Sequence, residues 1–286
     1  MKIGMYLVAF DNEGYGSFGD EKFLKVKSHG FDAIDYNISN TETLLYSLND
    51  KELEKFAKAE TKAIDDAGLT ISQVHGPWRW PPEDGTIENR NERMEKMKKS
   101  IVYTGLLGCK YWVVHPLMPF GIEEKGTPEA KITYEINLEF MRELLAFAKG
   151  HGVTICLENM PMPKFSLGAP EDILKFVKEM NDENFKICFD TGHAQICSNG
   201  KSIGEFVELL GEEIKTFHIH DNNGVHDLHL TPLFGCIDWN SFSSSLKKIG
   251  FNGVFSLETA PSKKLSAPLF EEYSLMLNKI SKSIID

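Results

Sequence analysis

The chain has 286 residues, a formal net charge of −11, 42% hydrophobic and 26% charged residues, the profile of a soluble globular protein of one large or two small domains. No apolar run approaches the ~20 residues of a membrane span, the amino terminus lacks a signal peptide's long apolar segment, and the acidic balance disfavours a nucleic-acid partner, whose affinity comes mostly from neutralised phosphates. Five cysteines without a C-x-x-C pair form neither a disulfide framework nor a zinc ribbon, which points to a reducing cytoplasm.

Apolar β-rich runs and amphipathic helical runs alternate from end to end. Strands are predicted at Lys2–Val8, Asp32–Asn37, Thr70–His75, Lys110–His115, Val153–Glu158, Lys186–Asp190, Lys215–His218 and Val254–Glu258. Helices are predicted at Glu21–His29, Lys51–Ala67, Asn89–Leu107, Pro128–Lys149, Pro170–Met180, Ile203–Leu210, Trp239–Ile249 and Ala267–Ser283. Pro128 and Pro170 sit in first turns beside acids, and Asp238 is placed to cap the helix that follows it. Gly30, Gly68, Gly108, Gly152 and Gly250 follow helix ends, where a left-handed residue is needed.

A strand follows each of these glycines within a few residues, whereas the strand-to-helix connections are long. That asymmetry predicts a (β/α)8 barrel over residues 1–286, one domain, with its site at the carboxyl ends of the strands. A doubly wound open sheet is disfavoured by the absence of a G-x-G-x-x-G phosphate loop.

Those strand ends carry His75, His115, Glu158, Asp190, His218 and Glu258. The residues two positions earlier, Gln73, Val113, Cys156, Cys188, Thr216 and Ser256, are mostly small, so one parity lets all six polar groups face the barrel mouth. Singly, each has a bland reading: a core histidine, a loop-capping Glu158, Glu258 paired with Lys263 or Lys264, an Asx turn at Asp190-Thr191. Together they favour a metal centre, since buried carboxylates and imidazoles are costly unless paired or bound to metal. Their mixed chemistry suits Mn, Zn, Co or Fe better than Ca or Mg.

Trp78-Arg79-Trp80, before Pro81-Pro82, forms a substrate wall or packs on the rim. Arg90, Arg93, Lys96, Lys98 and Lys99, interleaved with acids, suggest a solvated helix face. His29 and His151, at helix ends, need no functional role.

Leu157-Glu158-Asn159, Asp190-Thr191-Gly192-His193-Ala194, His218-Ile219-His220-Asp221, Gly235-Cys236-Ile237-Asp238-Trp239 and Leu257-Glu258-Thr259 resemble the xylose isomerase-like TIM barrels, which include sugar epimerases and isomerases and the endonuclease-IV-type apurinic endonucleases. The resemblance implies one divalent metal on Glu158, Asp190, His218 and Glu258, and a substrate contact from His193. Gly224 stands where ketose epimerases carry arginine. The endonuclease branch implies a larger set for more than one ion: His75, His115, Glu158, Asp190, His193, His218, Asp227, His229 and Glu258.

The expected activity is metal-dependent isomerisation or epimerisation of a small sugar or sugar derivative. Glu158 and Glu258 would act as acid and base beside a carbonyl, through an enediolate, with His193 assisting. Trp78, His75 and His115 would contact the sugar. The alternative is a multi-metal phosphodiester hydrolase. Asp227 and His229, two apart, are expected to aim at one site. A homo-oligomer is compatible with the sequence and not demanded by it.

Overall fold

The computed structural model describes residues 1–10, 14–262 and 264–286. Eight parallel strands run β1 (Lys2–Val8), β2 (Ala33–Asn37), β3 (Thr70–His75), β4 (Tyr111–Val114), β5 (Thr154–Glu158), β6 (Phe185–Asp190), β7 (Ile214–His218) and β8 (Val254–Leu257). They lie in the order β7-β6-β5-β4-β3-β2-β1-β8. The ring closes between β7 and β8 just above the strands: Ile219 N–H donates to the Ser256 carbonyl at 2.9 Å, and Glu258 N–H to the Ile219 carbonyl at 3.0 Å. The predicted barrel is therefore what the chain forms.

The helices are α1 (Lys22–Ser28), α2 (Asp50–Asp66), α3 (Ile87–Leu106), α4 (Pro128–Lys149), α5 (Pro170–Met180), α6 (Thr191–Ile196), α7 (Ile203–Leu210), α8 (Trp239–Ile249) and α9 (Ala267–Ile285). Among the described residues, none is long and apolar enough to cross a membrane. Strands buried on both faces serve two cores. Val113, Cys156 and Cys188 fill the barrel axis, while Trp112, Leu157, Phe189 and Phe217 face the helices. Asp238 caps α8 through the amides of Asn240 and Ser241, and Gly250 ends it at φ 67°, a left-handed conformation that glycine adopts without strain.

Two expectations are corrected. The short helix α6 begins directly after Asp190, where no helix was predicted. The basic run on α3 is not wholly solvated. Arg93 is buried, donates to Asp84 Oδ2 at 2.6 Å and to the His115 carbonyl at 3.2 Å, and lies 5.4 Å from the Trp78 ring.

Candidate metal centre

Glu158, Asp190 and His218 end β5, β6 and β7, and Glu258 follows β8 by one residue. One donor atom from each can be chosen so that all lie within 4.8 Å of one another. His218 Nδ1 is 2.8 Å from Glu158 Oε1 and 3.4 Å from Glu258 Oε2. Across the mouth, Glu158 Oε2 meets His115 Nε2 at 2.9 Å and His75 Nε2 at 3.6 Å. The structure thus brings all six strand-end groups to one place. Glu258 makes no ion pair with Lys264 among the described residues, and Lys263 lies outside them.

Local chemistry aims three of the rings. His75, His193 and His229 place Nδ1 at 2.8–2.9 Å from the carbonyls of Gly76, Asn159 and Glu258. With the proton on Nδ1, each ring presents Nε2 to a carboxylate. Asp190 explains α6: its Oδ1 accepts the His193 N–H at 2.6 Å, starting the helix and setting His193 above the strand end. Asn159 ties the neighbouring strand ends together, accepting from Asp190 N–H at 2.9 Å and donating to the Asp190 carbonyl at 3.0 Å.

The loop after β7 brings a second donor group: His193, His220, Asp227 and His229. Asp227 Oδ2 is 3.3 Å from Nε2 of both His193 and His229. The expected convergence of Asp227 and His229 occurs, but not on an extended segment, because His229 sits at φ 46°. Asp221 shapes the loop from within, accepting from the Leu233 and Ile237 amides and from Trp239 Nε1 at 2.8 Å.

Two residues of this arrangement went unassigned in the sequence. His220 Nε2 lies 3.1 Å from Asp190 Oδ2, and its ring stacks on His229 with centroids 4.0 Å apart. The signal was its position two after His218, on the same strand parity. Asp35, on β2, lies 3.2 Å from His218 Nε2. It sits below the strand end, so a search restricted to strand ends passes over it.

Electrostatics separates the groups. Burial, reinforced by Glu158 and Asp190, pushes the Glu258 carboxyl up to about 7 against the opposing pull of His218 and His229. Burial acts the same way on Glu158, but His218 and His115 overcome it and hold this carboxyl well below the usual range. Burial opposes protonation of His193, yet Asp190 and the bond to Asp227 raise it to about 10. His229 overcomes its burial through Asp227 and Glu258, reaching about 9. Burial holds His75, His115 and His220 below the ordinary histidine value.

The cluster floors a cavity of about 500 Å³ whose walls include Trp78, Trp80, Met160 and Met162. Trp78 lines this cavity and packs edge-on to His115 at 4.4 Å. A second cavity, of about 450 Å³, is lined by residues including Gln73 and Thr216 and, among the described residues, by no histidine. His75, His115, Glu158 and Glu258 line the first.

The chain resembles known proteins along most of its length. An uncharacterised protein of Methanocaldococcus jannaschii is 28% identical over 98% of this chain and 91% of its own. The D-psicose 3-epimerase of Ruminiclostridium cellulolyticum is 26% identical over 90% of this chain and 83% of its own. The crystal structure of a D-tagatose 3-epimerase-like protein superposes with a TM-score of 0.75 at 26% identity, covering 100% of this chain and 98% of that one. The family model for the xylose isomerase-like TIM barrel matches residues 23–277, and the chain belongs to that family.

Proposed function

We propose that the protein is a metal-dependent isomerase or epimerase of a small sugar or sugar derivative. The observation that carries this reading is the convergence of Glu158, Asp190, His218 and Glu258 within 4.8 Å at consecutive strand ends. The donor set fits a divalent transition metal: three carboxylates and one imidazole, with Glu258 Oε2 buried and without a hydrogen-bond partner among the described residues. A metal held there would supply Lewis-acid polarisation of a carbonyl and its neighbouring hydroxyl.

The protein's own groups then move the proton. One of Glu158 and Glu258 removes it from the carbon beside the carbonyl. Delivery of a proton to the opposite face by the other carboxyl gives epimerisation, whereas delivery to the former carbonyl carbon, with the hydroxyl proton passing to the former carbonyl oxygen, gives isomerisation. Both carboxyls line the cavity, so each is placed to serve as acid or base toward a sugar held there. His193 and His229 offer hydrogen bonds to substrate hydroxyls, and Trp78 and Trp80 offer aromatic walls to a sugar's C–H face. Similarity to D-psicose 3-epimerase supports the substrate class, while Gly224 in place of an arginine argues for a sugar other than a simple ketose.

The second donor group of His193, His220, Asp227 and His229 favours one other reading, a multi-metal hydrolase. The two differ in products. Turnover of sugar candidates in D2O is expected to place deuterium on the carbon beside the carbonyl, and Glu258→Gln to lose ~10²–10⁴-fold in rate. Normal turnover in Glu258→Gln would remove its role in proton transfer.

A further inference from the structure

Asp35 stands beneath the centre on β2, a strand that supplies none of the proposed ligands. It is fully buried. Its Oδ2 accepts from Gln73 Nε2 at 2.8 Å and lies 3.2 Å from His218 Nε2. The same Gln73 amide donates to the Phe217 carbonyl at 3.1 Å, so both its hydrogens are engaged and it cannot swing away. His218 turns its other nitrogen, Nδ1, toward Glu158 and Glu258.

Two atoms at this contact remain unsatisfied. Neither His218 Nε2 nor Asp35 Oδ1 has an aligned hydrogen-bond partner among the described residues. A buried carboxylate facing a single amide donor is poorly compensated. An imidazole N–H turned to it, here 3.2 Å away, supplies the missing partner. Three of the other rings follow a different rule. His75, His193 and His229 rest Nδ1 on backbone carbonyls and present Nε2. His218 presents Nδ1 and sets Nε2 against a carboxylate.

We propose that Asp35 is a positioning residue for the metal centre, with Gln73 as its anchor. With a metal bound, it would keep the His218 proton on Nε2 and turn Nδ1, which in the metal-free protein shares a proton with Glu158 Oε1 at 2.8 Å, toward the ion as a stronger donor. Asp35 itself touches neither metal nor substrate. The inference rests on the metal reading above, and its test separates the two.

The full-length protein is stripped with a chelator, and Zn²⁺ affinity is measured by competition with a chromophoric chelator for the parent and Asp35→Asn. The visible spectrum of each saturated with Co²⁺ is recorded, together with the melting temperature of each metal-free form. Asp35→Asn is expected to bind Zn²⁺ about 10–100-fold more weakly and to shift the Co²⁺ bands, with metal-free melting unchanged or raised. Equal affinity with an unchanged spectrum overturns the proposal. So does an affinity loss that tracks lower metal-free melting and leaves the spectrum unaltered, since that assigns Asp35 to packing. Absence of binding by the parent overturns the metal centre and this inference together, whereas tight binding by both proteins overturns this inference alone. If Asp35→Asn fails to fold, Gln73→Leu is measured in its place. It keeps the carboxylate and removes its anchor, so a weaker but same-signed loss is expected, and none would count against the proposal.

Discussion

Gly192 is what admits His220 to the site. A Cβ at this position would lie 2.0 Å from His220 Cε1 and 2.4 Å from Nδ1, in a region packed too closely to yield. Gly192→Ala is therefore predicted to destabilise the fold by ~1–3 kcal/mol, read from urea denaturation, and to displace His220 from Asp190. His29 makes a different kind of prediction. It is buried, its Nδ1 is 2.8 Å from the Tyr15 hydroxyl, and burial together with Lys25 holds it below its ordinary value despite Glu271. With a depressed folded-state value, the unfolded chain binds the extra proton first. The contribution to stability is full above about 6.5 and is lost as pH falls from there toward the folded value. Denaturation midpoints should consequently fall more steeply with acid in the parent than in His29→Gln, and parallel curves would contradict the assignment. At this scale, sequence parity was enough to bring six strand-end groups together. It could not reveal Asp35, because a buried acid in mid-strand looks the same in sequence whether it supports a ligand or pairs within the core.

The elements show where periodic patterns carry information and where they run out. Long helices with apolar stripes, such as α4 and α5, matched their predicted ends, Pro128–Lys149 and Pro170–Met180. The six residues of α6 are too few to display a period, and the helix depends on the Asp190 cap. On α3 the alternation of bases and acids concealed a real stripe, since Arg93, Met97, Ser100 and Thr104 are all buried at helical spacing. Arg93 locks the long loop after β3 onto the β4 end, because Asp84 Oδ2 also accepts the Met118 N–H at 2.8 Å. Breaking a buried pair of this kind leaves a charge uncompensated, so Arg93→Ala should cost ~3–5 kcal/mol. Arg93→Lys should recover little, since lysine cannot span Asp84 and the His115 carbonyl with one planar fork. Denaturation of both variants checks this, and full recovery by lysine would show that charge alone matters.

For the whole molecule, the regular alternation of strand, long loop, helix and short glycine turn made the barrel legible, because that connectivity has few other solutions. Substrate choice was not legible in the same way, since it depends on long loops whose shapes are set by buried contacts such as those of Asp221. The net charge of −11 still bears on the choice between isomerase and nuclease. With no excess of positive charge to meet phosphates, the protein is predicted not to nick abasic DNA in the presence of Zn or Mn. Metal-dependent nicking that disappears in Asp227→Ala would favour the hydrolase instead. Four donors converge at the barrel mouth, and elemental analysis of protein purified without chelator reads whether they hold a metal. Stoichiometric transition metal is expected in the parent, and its loss in both Asp190→Ala and His218→Ala. Unchanged metal content in the two folded variants would contradict it.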